Sequence, residues 1–441
     1  MLALGCAAAA VAAQGVPAGL ADSAQRDLPA LTEVYKHLHE NPELSGHEVE
    51  TAAYVAAALK KLGYQVTTHV GKYPDEAAYG PGAEGVVAVL ENGAGPRVML
   101  RTELDALPVE EKTGLDYASH VKTTNAQGQT IPEMHACGHD LHMTVMLGVA
   151  KELVERKVAW HGTVMIIGQP AEETTSGAKA MLADHLYERF GRPDYIVSEH
   201  DSSDLAAGEV AVKGGPLLAG ADSIDVTIRG IGAHGSAPQA GKDPIVLAAE
   251  FVLVAQTIVS RQIDPQQPAV LTVGTIHGGT KNNIIPDEVK MGLTLRTYSD
   301  AVKEQIEAAI QREVKGLAEG YGIPADRMPT VTVTESTPAT WNDEALAARV
   351  KGVAVAALGK DRVEDAHAIM ASEDVGLFRL GGQIPGVMMW LGAADPAKLA
   401  ESRKTGVPLP GPHSPLFAPD YGPAIPTGVT AMTAVAMDLL K

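Results

Sequence analysis

The first half of the chain alternates between helical and strand-like hydrophobic patterns. Apolar positions recur at helical spacing through residues 22–63, with a break at Asn41-Pro42. Short apolar runs typical of buried strands follow, and a helical run separates two of them. The strand-like runs cover residues 85–90, 98–104, 163–168 and 195–198, and the helical run covers 144–156. Strands that alternate with helices predict an α/β domain with a mostly parallel sheet.

A different pattern begins near Gly215. Four strand-like runs, one strongly apolar helix and one amphipathic helix occur in the order β-α-β-β-α-β, which is typical of a compact ferredoxin-like unit. The strands are predicted at 224–228, 269–276, 288–296 and 330–334, and the helices at 243–260 and 301–319. After Pro338 the α/β character resumes, with helices near 343–358 and 426–440. The sequence therefore predicts a small domain, 217–336, inserted into a larger one formed by 22–216 and 337–441.

The N-terminus has a composition of its own. Residues 1–13, MLALGCAAAAVAA, are apolar but too few to span a bilayer. They resemble the apolar and small-residue parts of a secretory signal, although no Lys or Arg precedes them. We expect residues 1–21 to be a signal-like segment and the protein to be periplasmic or secreted, or cytoplasmic if 1–13 is not a signal. No other stretch is apolar enough to suggest a membrane span.

Charge and cysteine content limit the possible partners. The 35 Lys+Arg and 54 Asp+Glu residues give a formal charge of −19. Clustered basic residues are what bind a phosphate backbone or an anionic membrane surface, so nucleic acid and such membranes are unsuitable partners. The two cysteines exclude a disulfide framework.

The strongest local motif is His-Ala-Cys-Gly-His-Asp-Leu-His at 135–142. In an extended segment His135, Cys137 and His139 would point the same way. Imidazole and thiolate are ligands that Zn²⁺ and similar ions take readily, so the cluster indicates a metal site. Two other interpretations remain open: a buried thiol beside surface histidines, and a nucleophilic Cys137 paired with a histidine.

Acidic residues follow two of the predicted strands. Glu172 and Glu173 come directly after the run at 163–168. Adjacent carboxylates repel, so one of them could bind a metal while the other removes a proton from water. The alternative is a solvated helix N-terminus, where acids are favoured. Asp105 ends another strand, where it could orient a metal-bound imidazole or form a salt bridge.

Further candidates lie in later loops. His200 follows the run at 195–198, and ligands in open α/β sheets gather at the carboxyl ends of strands. His413 lies in a proline-flanked loop. In the inserted unit, His234, Asn283 and Arg296 could hold an oxyanion and a carboxylate. Each of these residues alone is also compatible with an ordinary surface or turn position.

Taken together, the motifs resemble the M20 metallopeptidases, and within them the amidohydrolase branch of hippurate hydrolases, N-acyl-amino-acid amidohydrolases and auxin-conjugate hydrolases. The likeness runs from near Tyr35 to the C-terminus. It is carried by Leu38-His39 to Pro42-Glu43-Leu44, Glu48, Leu104-Asp105-Ala106-Leu107-Pro108, His135 to Asp140, Glu172-Glu173, Ala233-His234-Gly235-Ser236, Asn283 to Asp287, Arg296-Thr297 and His413-Ser414-Pro415.

The resemblance implies a mixed-sheet di-metal peptidase domain with an inserted ferredoxin-like lid or dimerisation domain, and a homodimer formed through that lid. It implies that Glu172 is the general base and that His234 stabilises the oxyanion. Asn283 and Arg296 match positions that hold the substrate carboxylate. The implied ligands of two divalent ions, Zn²⁺, Mn²⁺ or Co²⁺, are Cys137, His139, Glu173, His200 and His413.

The sequence departs from the family pattern at two places. Glu103 stands where Asp is usual, and Ser198-Glu199-His200 replaces the usual Gly-Leu-His. Neither change removes a ligand or the base. We therefore expect metal-dependent hydrolysis of the amide bond of N-acyl amino acids or small peptide-like amides. The alternatives are a dipeptidase or carboxypeptidase of the same superfamily, a metal-independent cysteine hydrolase using Cys137, and a non-catalytic metal-binding protein.

Overall fold

The protein forms two compact units. The computed structural model describes residues 17–74, 79–80, 82–125 and 128–441. The first unit comprises the chain up to residue 215 together with 341–367 and 374–441, and the second comprises 216–340 and 368–373. Most of the signal-like segment, residues 1–16, lies outside the described residues. Helix α1 begins at Leu20, whose side chain is buried in the core, so the ordered domain starts before the expected residue 22.

Helices and strands alternate along the first unit on both sides of the second. The helices are α1 (Leu20–Glu40), α2 (Val49–Lys61), α3 (His139–Glu155), α4 (Gly177–Ala183), α5 (Leu186–Phe190), α6 (Pro244–Gln262), α7 (Asp300–Gly320), α8 (Glu344–Leu358), α9 (Pro396–Thr405) and α10 (Tyr421–Leu439). The strands are β1 (Gln65–Thr67), β2 (Val86–Asn92), β3 (Arg97–Glu103), β4 (Lys122–Thr124), β5 (Thr130–Pro132), β6 (Gly162–Gln169), β7 (Tyr195–Ala206), β8 (Val210–Val212), β9 (Gly215–Leu218), β10 (Gly220–Arg229), β11 (Ala233–His234), β12 (Ala269–Gly278), β13 (Ile284–Ile285), β14 (Glu288–Thr297), β15 (Thr330–Thr337), β16 (Thr340–Asn342), β17 (Val363–Asp365) and β18 (Gly386–Ala394).

The large sheet of the first unit has the strand order β1-β2-β6-β3-β7-β18-β8-β17. Its central strands β6, β3, β7 and β18 run parallel to one another. Strands β1 and β2 pair antiparallel on one side, and β8 is antiparallel to β18 on the other. The sheet is therefore mixed, with a parallel centre. Because carboxyl ends of parallel strands meet at one edge, the loops after β3 and β6 lie together there, and β7 continues past that edge and carries His200.

The core of this unit lies between the sheet and the helices α1, α3 and α10, which pack on one another. Helices α3 and α10 approach so closely that a Cβ on Gly148 would lie 2.5 Å from Val429. Helix α3 begins at His139, earlier than the predicted 144, because the left-handed Gly138 (φ 83°) ends the preceding turn. Helix α10 likewise begins at Tyr421 and accommodates Pro426 within it.

Strand β18 was not predicted from the sequence. Every residue from Gly386 to Ala394 is buried, and the strand lies between β7 and β8. A strand covered on both faces is apolar throughout and lacks the alternation that marks a half-buried strand. The fully buried β6 has the same kind of run and was predicted, so β18 could have been predicted as a buried strand on the same grounds.

The second unit confirms the predicted β-α-β-β-α-β order. Its sheet has the order β12-β14-β10-β15, with every neighbouring pair antiparallel, and α6 and α7 supply buried side chains such as Phe251 and Ile310 to its core. The expected division at 336/337 needs correction, because residues 337–340 and 368–373 belong to this unit. The N–H of Ala219 donates to the carbonyl oxygens of Ile369 and Ala371, which ties the second segment to it.

Helix α6 is more apolar than the sequence analysis expected of any segment beyond the N-terminus. Among the described residues it is the helix with the length and hydropathy needed to cross a membrane, contrary to the expectation that no stretch beyond the N-terminus was apolar enough. One face packs in the unit's core through Leu247, Phe251 and Ile258. The other face exposes Val246 and Leu253. The helix is thus apolar on both faces, and a core helix of a soluble protein passes the same test.

Candidate metal centre

The Cys/His motif folds into a turn and a helix start. Cys137 lies in a turn and His139 is the first residue of α3, so the two side chains do not follow the extended arrangement assumed from the sequence. A Cβ on Gly138 would lie 2.4 Å from Oδ1 of Asp201, so the close approach of the turn to β7 requires glycine. His135 lies apart from the ligand groups that contain Cys137, and burial lowers its pKa to about 4.

Cys137 and His139 meet His200 at the end of the parallel strands. The Sγ atom of Cys137 lies 3.5 Å from Nε2 of His200. The potential ligand atoms of these three residues all lie within 4.8 Å of one another. Nδ1 of His200 lies 2.8 Å from the carbonyl oxygen of Asp201, which orients Nε2 toward the thiol.

The two acids after β6 extend the cluster. Nε2 of His139 lies 4.0 Å from Oε2 of Glu172 and 3.9 Å from Oε1 of Glu173. Nε2 of His413 lies 3.3 Å from Oε2 of Glu173, and ligand atoms of Cys137, Glu173 and His413 again lie within 4.8 Å of one another. The structure therefore brings together the ligand candidates and the base candidate that the sequence identified. Cys137, His139 and Glu173 each belong to two overlapping groups, an arrangement suited to adjacent ions.

The chemistry of these groups fits cations. Nε2 of His139 and Oε1 of Glu173 are buried and have no hydrogen-bond partner among the described residues. Burial raises the pKa of the Cys137 thiol well above its usual range, and the charges of Glu173 and Glu172 raise it further. A cation would satisfy the two orphaned atoms and reverse that effect on the thiol, because metal coordination favours the thiolate. Thiolate, imidazole and carboxylate together are a suitable set for Zn²⁺ and related ions.

Asp105 contacts two of the ligand candidates, His139 and Glu173. Its backbone carbonyl oxygen lies 2.7 Å from Nδ1 of His139, closer than its own carboxylate at 3.5 Å. Its Oδ2 accepts the N–H of Glu173 at 3.0 Å and the hydroxyl of Ser45 at 2.6 Å. Burial by itself raises the pKa of Asp105, but the hydrogen bond and charge of His139 and the hydroxyl of Ser45 lower it. Asp105 thus orients one ligand candidate and fixes the backbone of another.

In the second unit, His234 and Asn283 are neighbours. His234 lies on β11 opposite Ile284 of β13, and the N–H of Gly235 donates to the carbonyl oxygen of Asn283 at 2.8 Å. The backbone N–H of Ser236 donates to Nδ1 of His234 at 3.0 Å. Because Nδ1 accepts that bond, the neutral ring carries its proton on Nε2 and can donate from there. Arg296 lies elsewhere in this unit, near the end of β14, where it pairs with Ala221 of β10.

Comparison with known proteins places the chain in a family. Residues 99–405 match Peptidase family M20/M25/M40. The chain belongs to this family.

Relatives within the M20/M25/M40 family are well matched in length. The chain is 36% identical to an N-acetyl-L-cysteine deacetylase of Bacillus subtilis, over 81% of this chain and 79% of the relative. It is 36% identical to a hippurate hydrolase of Campylobacter jejuni, over 80% of this chain and 86% of the relative. A solved structure of a Bacillus subtilis dinuclear metal-binding M20 peptidase is 27% identical, with a TM-score of 0.72, covering 95% of this chain and 100% of that one. The chain is an enzyme of the metal-dependent amidohydrolase type.

A buried charge network of this M20/M25/M40 chain was missed at the sequence level. Arg101 is ion-paired with Glu103 on β3, and its other guanidinium nitrogen lies 3.1 Å from Asp374. His142 lies between two acids, with Nδ1 3.0 Å from Glu103 and Nε2 3.0 Å from Asp201. The sequence did contain an indication of this network, because His142 lies one helical turn after the ligand candidate His139 on α3. The longer Glu103, in place of the family's usual Asp, contacts both Arg101 and His142.

Glu199, the other departure from the M20/M25/M40 pattern, is buried beside His200 in β7. Successive strand residues point to opposite faces, so its side chain lies on the face opposite His200. Neither carboxylate oxygen has a hydrogen-bond partner among the described residues. Burial raises its pKa to about 8, with His142 lowering it and Asp201 raising it. The extra acid therefore adjoins the buried network of Asp201 and His142.

Proposed function

We propose that this M20/M25/M40 enzyme hydrolyses the amide bond of N-acyl amino acids, releasing a carboxylic acid and a free amino acid. The observation that carries the proposal is the position of the Glu172–Glu173 pair within 4.0 Å of Nε2 of His139, at the edge where the parallel strands end. The likeness to an N-acetyl-L-cysteine deacetylase and a hippurate hydrolase, both named for an N-acyl amino acid substrate, supports the same substrate class.

Two divalent ions, Zn²⁺, Mn²⁺ or Co²⁺, complete the site in this proposal. The residues that would hold them are Cys137, His139, Glu173, His200 and His413. When bound, the ions supply Lewis acidity, which polarises the scissile carbonyl and makes water a stronger acid.

Glu172 moves the proton. It removes a proton from the attacking water as the new C–O bond forms, and it delivers that proton to the leaving nitrogen as the C–N bond breaks. Its side chain is almost fully buried. Low exposure keeps bulk water from competing for the carboxylate during the transfer.

Residues of the second unit supply binding groups. Nε2–H of His234 suits the developing oxyanion, since the N–H of Ser236 occupies its Nδ1. Asn283 and Arg296 suit the carboxylate of the amino acid part of the substrate, because a guanidinium and an amide both donate hydrogen bonds to carboxylate oxygens. These roles require an anionic substrate and predict weaker binding of amidated analogues.

We also propose a homodimer formed through the second unit, and export of the chain. Strand β12 is an edge strand of its sheet, so one side of its backbone is open to pairing. Apolar side chains of α6 and β12 are exposed in the same unit, notably Val246, Leu253 and Ile276. Exposed apolar area of this kind marks interaction sites in soluble proteins. Export rests on the signal-like residues 1–13 alone.

A substrate panel tests the proposed activity. Metal-free protein is reconstituted separately with Zn²⁺, Mn²⁺ and Co²⁺ and assayed on N-acetyl amino acids, N-benzoylglycine and matched dipeptides. The proposal predicts that kcat/KM is higher for the N-acyl amino acids than for the dipeptides. Preference for dipeptides would instead assign a dipeptidase or carboxypeptidase, and inactivity of every metal form on the whole panel would contradict amide hydrolysis.

A further inference from the structure

The loop that carries Glu172 and Glu173 has a strained backbone. It connects the end of β6 at Gln169 to the start of α4 at Gly177. Ala171 (φ 47°) and Thr175 (φ 51°) both adopt left-handed conformations that residues with a Cβ rarely occupy. Such conformations persist only where surrounding contacts hold them. The contacts around Ala171 therefore determine where the following carboxylates lie.

A buried carboxylate from a distant part of the sequence holds Ala171. Glu48, which directly precedes α2, is fully buried. Its Oε1 accepts the backbone N–H of Ala171 at 2.8 Å and the backbone N–H of Gly46 at 2.8 Å. The carbonyl oxygen of Ala171 accepts N–H groups from Ser176 at 3.1 Å and Gly177 at 3.0 Å. Both backbone polar groups of the strained residue are thus satisfied.

A second carboxylate holds the other side of Glu172. Oδ2 of Asp105 accepts the N–H of Glu173 at 3.0 Å and the hydroxyl of Ser45 at 2.6 Å. Ser45 and Glu48 belong to the same short segment before α2. The residues on each side of Glu172 are therefore both tied, directly or through Asp105, to that segment.

We infer that Glu48 is a positioning residue that sets the place of the Glu172 carboxylate by holding the strained Ala171 backbone. The inference rests on the proposed role of Glu172 as base. Oε2 of Glu48 is buried and has no hydrogen-bond partner among the described residues, so the side chain is costly to bury. Burial and the charge of Asp105 raise the pKa of Glu48 to about 8. Glu48 is therefore unfavourable to bury, yet its Oε1 holds the loop that carries Glu172. This combination fits a role in positioning the loop better than a role in stabilising the fold.

Three substitutions at Glu48 distinguish a role in positioning the Glu172 loop from a general role in the stability of the fold. Glu48→Gln keeps the oxygen that accepts the Ala171 N–H, so kcat should stay near wild type. Glu48→Leu removes the acceptor, and a displacement of about 1 Å at the base should lower kcat roughly 10²-fold with little change in KM. Glu48→Asp is shorter by one methylene and should lower kcat by roughly 10-fold for the same reason. The Asp variant serves if the Leu variant does not fold.

Glu152 provides a matched control. It is another fully buried glutamate, on α3, with one oxygen bonded to Arg156 at 2.8 Å and Oε1 without a partner among the described residues. Glu152→Leu removes the partner of the Arg156 Nε–H, so it should lower the free energy of unfolding but leave kcat near wild type. Activity loss in Glu48→Leu and Glu48→Asp but not in Glu152→Leu then reports on the loop rather than on general destabilisation.

Zinc affinity gives a readout that does not depend on turnover. Glu173 lies on the same loop, so apo Glu48→Leu should bind Zn²⁺ roughly 10-fold more weakly than wild type in calorimetric titration. The Gln variant should bind as wild type does. Wild-type kcat and wild-type Zn²⁺ affinity in Glu48→Leu, or an equal loss of both in the Gln and Leu variants, would overturn the inference. Wild-type protein that hydrolyses no amide would overturn the proposed function instead, and the Zn²⁺ titration would still decide the positioning role.

Discussion

A Cβ placed on Gly177 would lie 1.5 Å from the carbonyl oxygen of Pro170. The start of α4 therefore packs directly against the loop that carries Glu172 and Glu173, and only glycine leaves room for it. Gly177→Ala must displace the loop, so we expect kcat to fall by about 10²-fold, as for other ångström-scale displacements of a catalytic group. Steady-state kinetics on an N-acetyl amino acid measure this.

The control for that change is Gly352→Ala in α8. A Cβ there meets no atom within 4 Å, so the variant should gain about 0.5–1 kcal/mol of stability from helix propensity and keep its kcat. If Gly177→Ala were as active as Gly352→Ala, the loop could not have the rigidity described here.

A buried imidazole predicts how stability depends on pH. Nδ1 of His39 lies 2.6 Å from Asp140 and Nε2 lies 3.2 Å from Glu111. Burial alone lowers the pKa of His39, but the hydrogen bonds to Asp140 and Glu111 raise it to about 10. The folded protein thus keeps a proton that the unfolded chain releases above pH about 6.5, and this contribution to stability is lost as pH rises toward 10.

His39→Gln lacks that titration. The difference in the free energy of unfolding between wild type and His39→Gln should therefore be larger at pH 7 than at pH 9.5, by a few kcal/mol. Urea denaturation at the two pH values measures it. A difference that stays constant between them would show that His39 is not held protonated.

Sequence patterns predicted the second unit well because strands β10 and β14 alternate between buried and exposed positions and helix α7 has one clear apolar face. The proximity of Glu173 and His200 could also be anticipated, since they belong to neighbouring parts of one sheet edge, but Cys137 and His139 lie in a turn and at a helix start, whose place no strand pattern gives. Strand β18 was missed, although it is a continuous apolar run of the same kind as the fully buried β6, which was predicted.

Hydrogen bonds between segments that are far apart in the chain could not be predicted from the sequence either. The hydrogen bond from Ala171 to Glu48 joins residues that no local pattern relates, and it depends on a left-handed backbone at an alanine. The bridging of Glu103 and Asp201 by His142 depends on how α3 packs over two strands. Periodicity determines which face of an element is buried, but it does not determine which polar groups meet on that face.

The ligand set predicts the effect of removing one histidine. His413 lies 3.3 Å from Glu173, and its substitution by Gln should reduce bound metal from two ions to one per chain and abolish most activity. His69→Gln is a matched control, because His69 is also exposed and also lies near a glutamate, Glu84, at 2.8 Å. Elemental analysis after dialysis measures the metal. Equal metal content in the two variants would exclude His413 as a ligand.

Metal removal separates metal catalysis from a cysteine nucleophile. Because the proposed chemistry needs the ions, prolonged EDTA treatment should abolish hydrolysis, and added Zn²⁺, Mn²⁺ or Co²⁺ should restore it. Activity that survived complete metal removal and disappeared in Cys137→Ala would instead identify Cys137 as a nucleophile.

The exposed face of α6 predicts an oligomer. Leu253 is 71% exposed there, and Leu253→Glu should convert a dimer into the 46.0 kDa protomer by placing a charge in the apolar contact. Val158→Glu, at a fully exposed valine of the first unit, should leave the dimer intact. Light scattering gives the masses. A wild-type protein of protomer mass would refute the dimer.

The most direct test of the account is the kcat of Glu172→Gln, measured with its metal content. Glutamine has the same shape but cannot accept the proton, and general-base catalysis contributes about 10²–10⁴-fold. The account predicts a loss of that size on an N-acetyl amino acid, with two ions per chain as in wild type. A kcat within a few-fold of wild type in the fully loaded variant would contradict it.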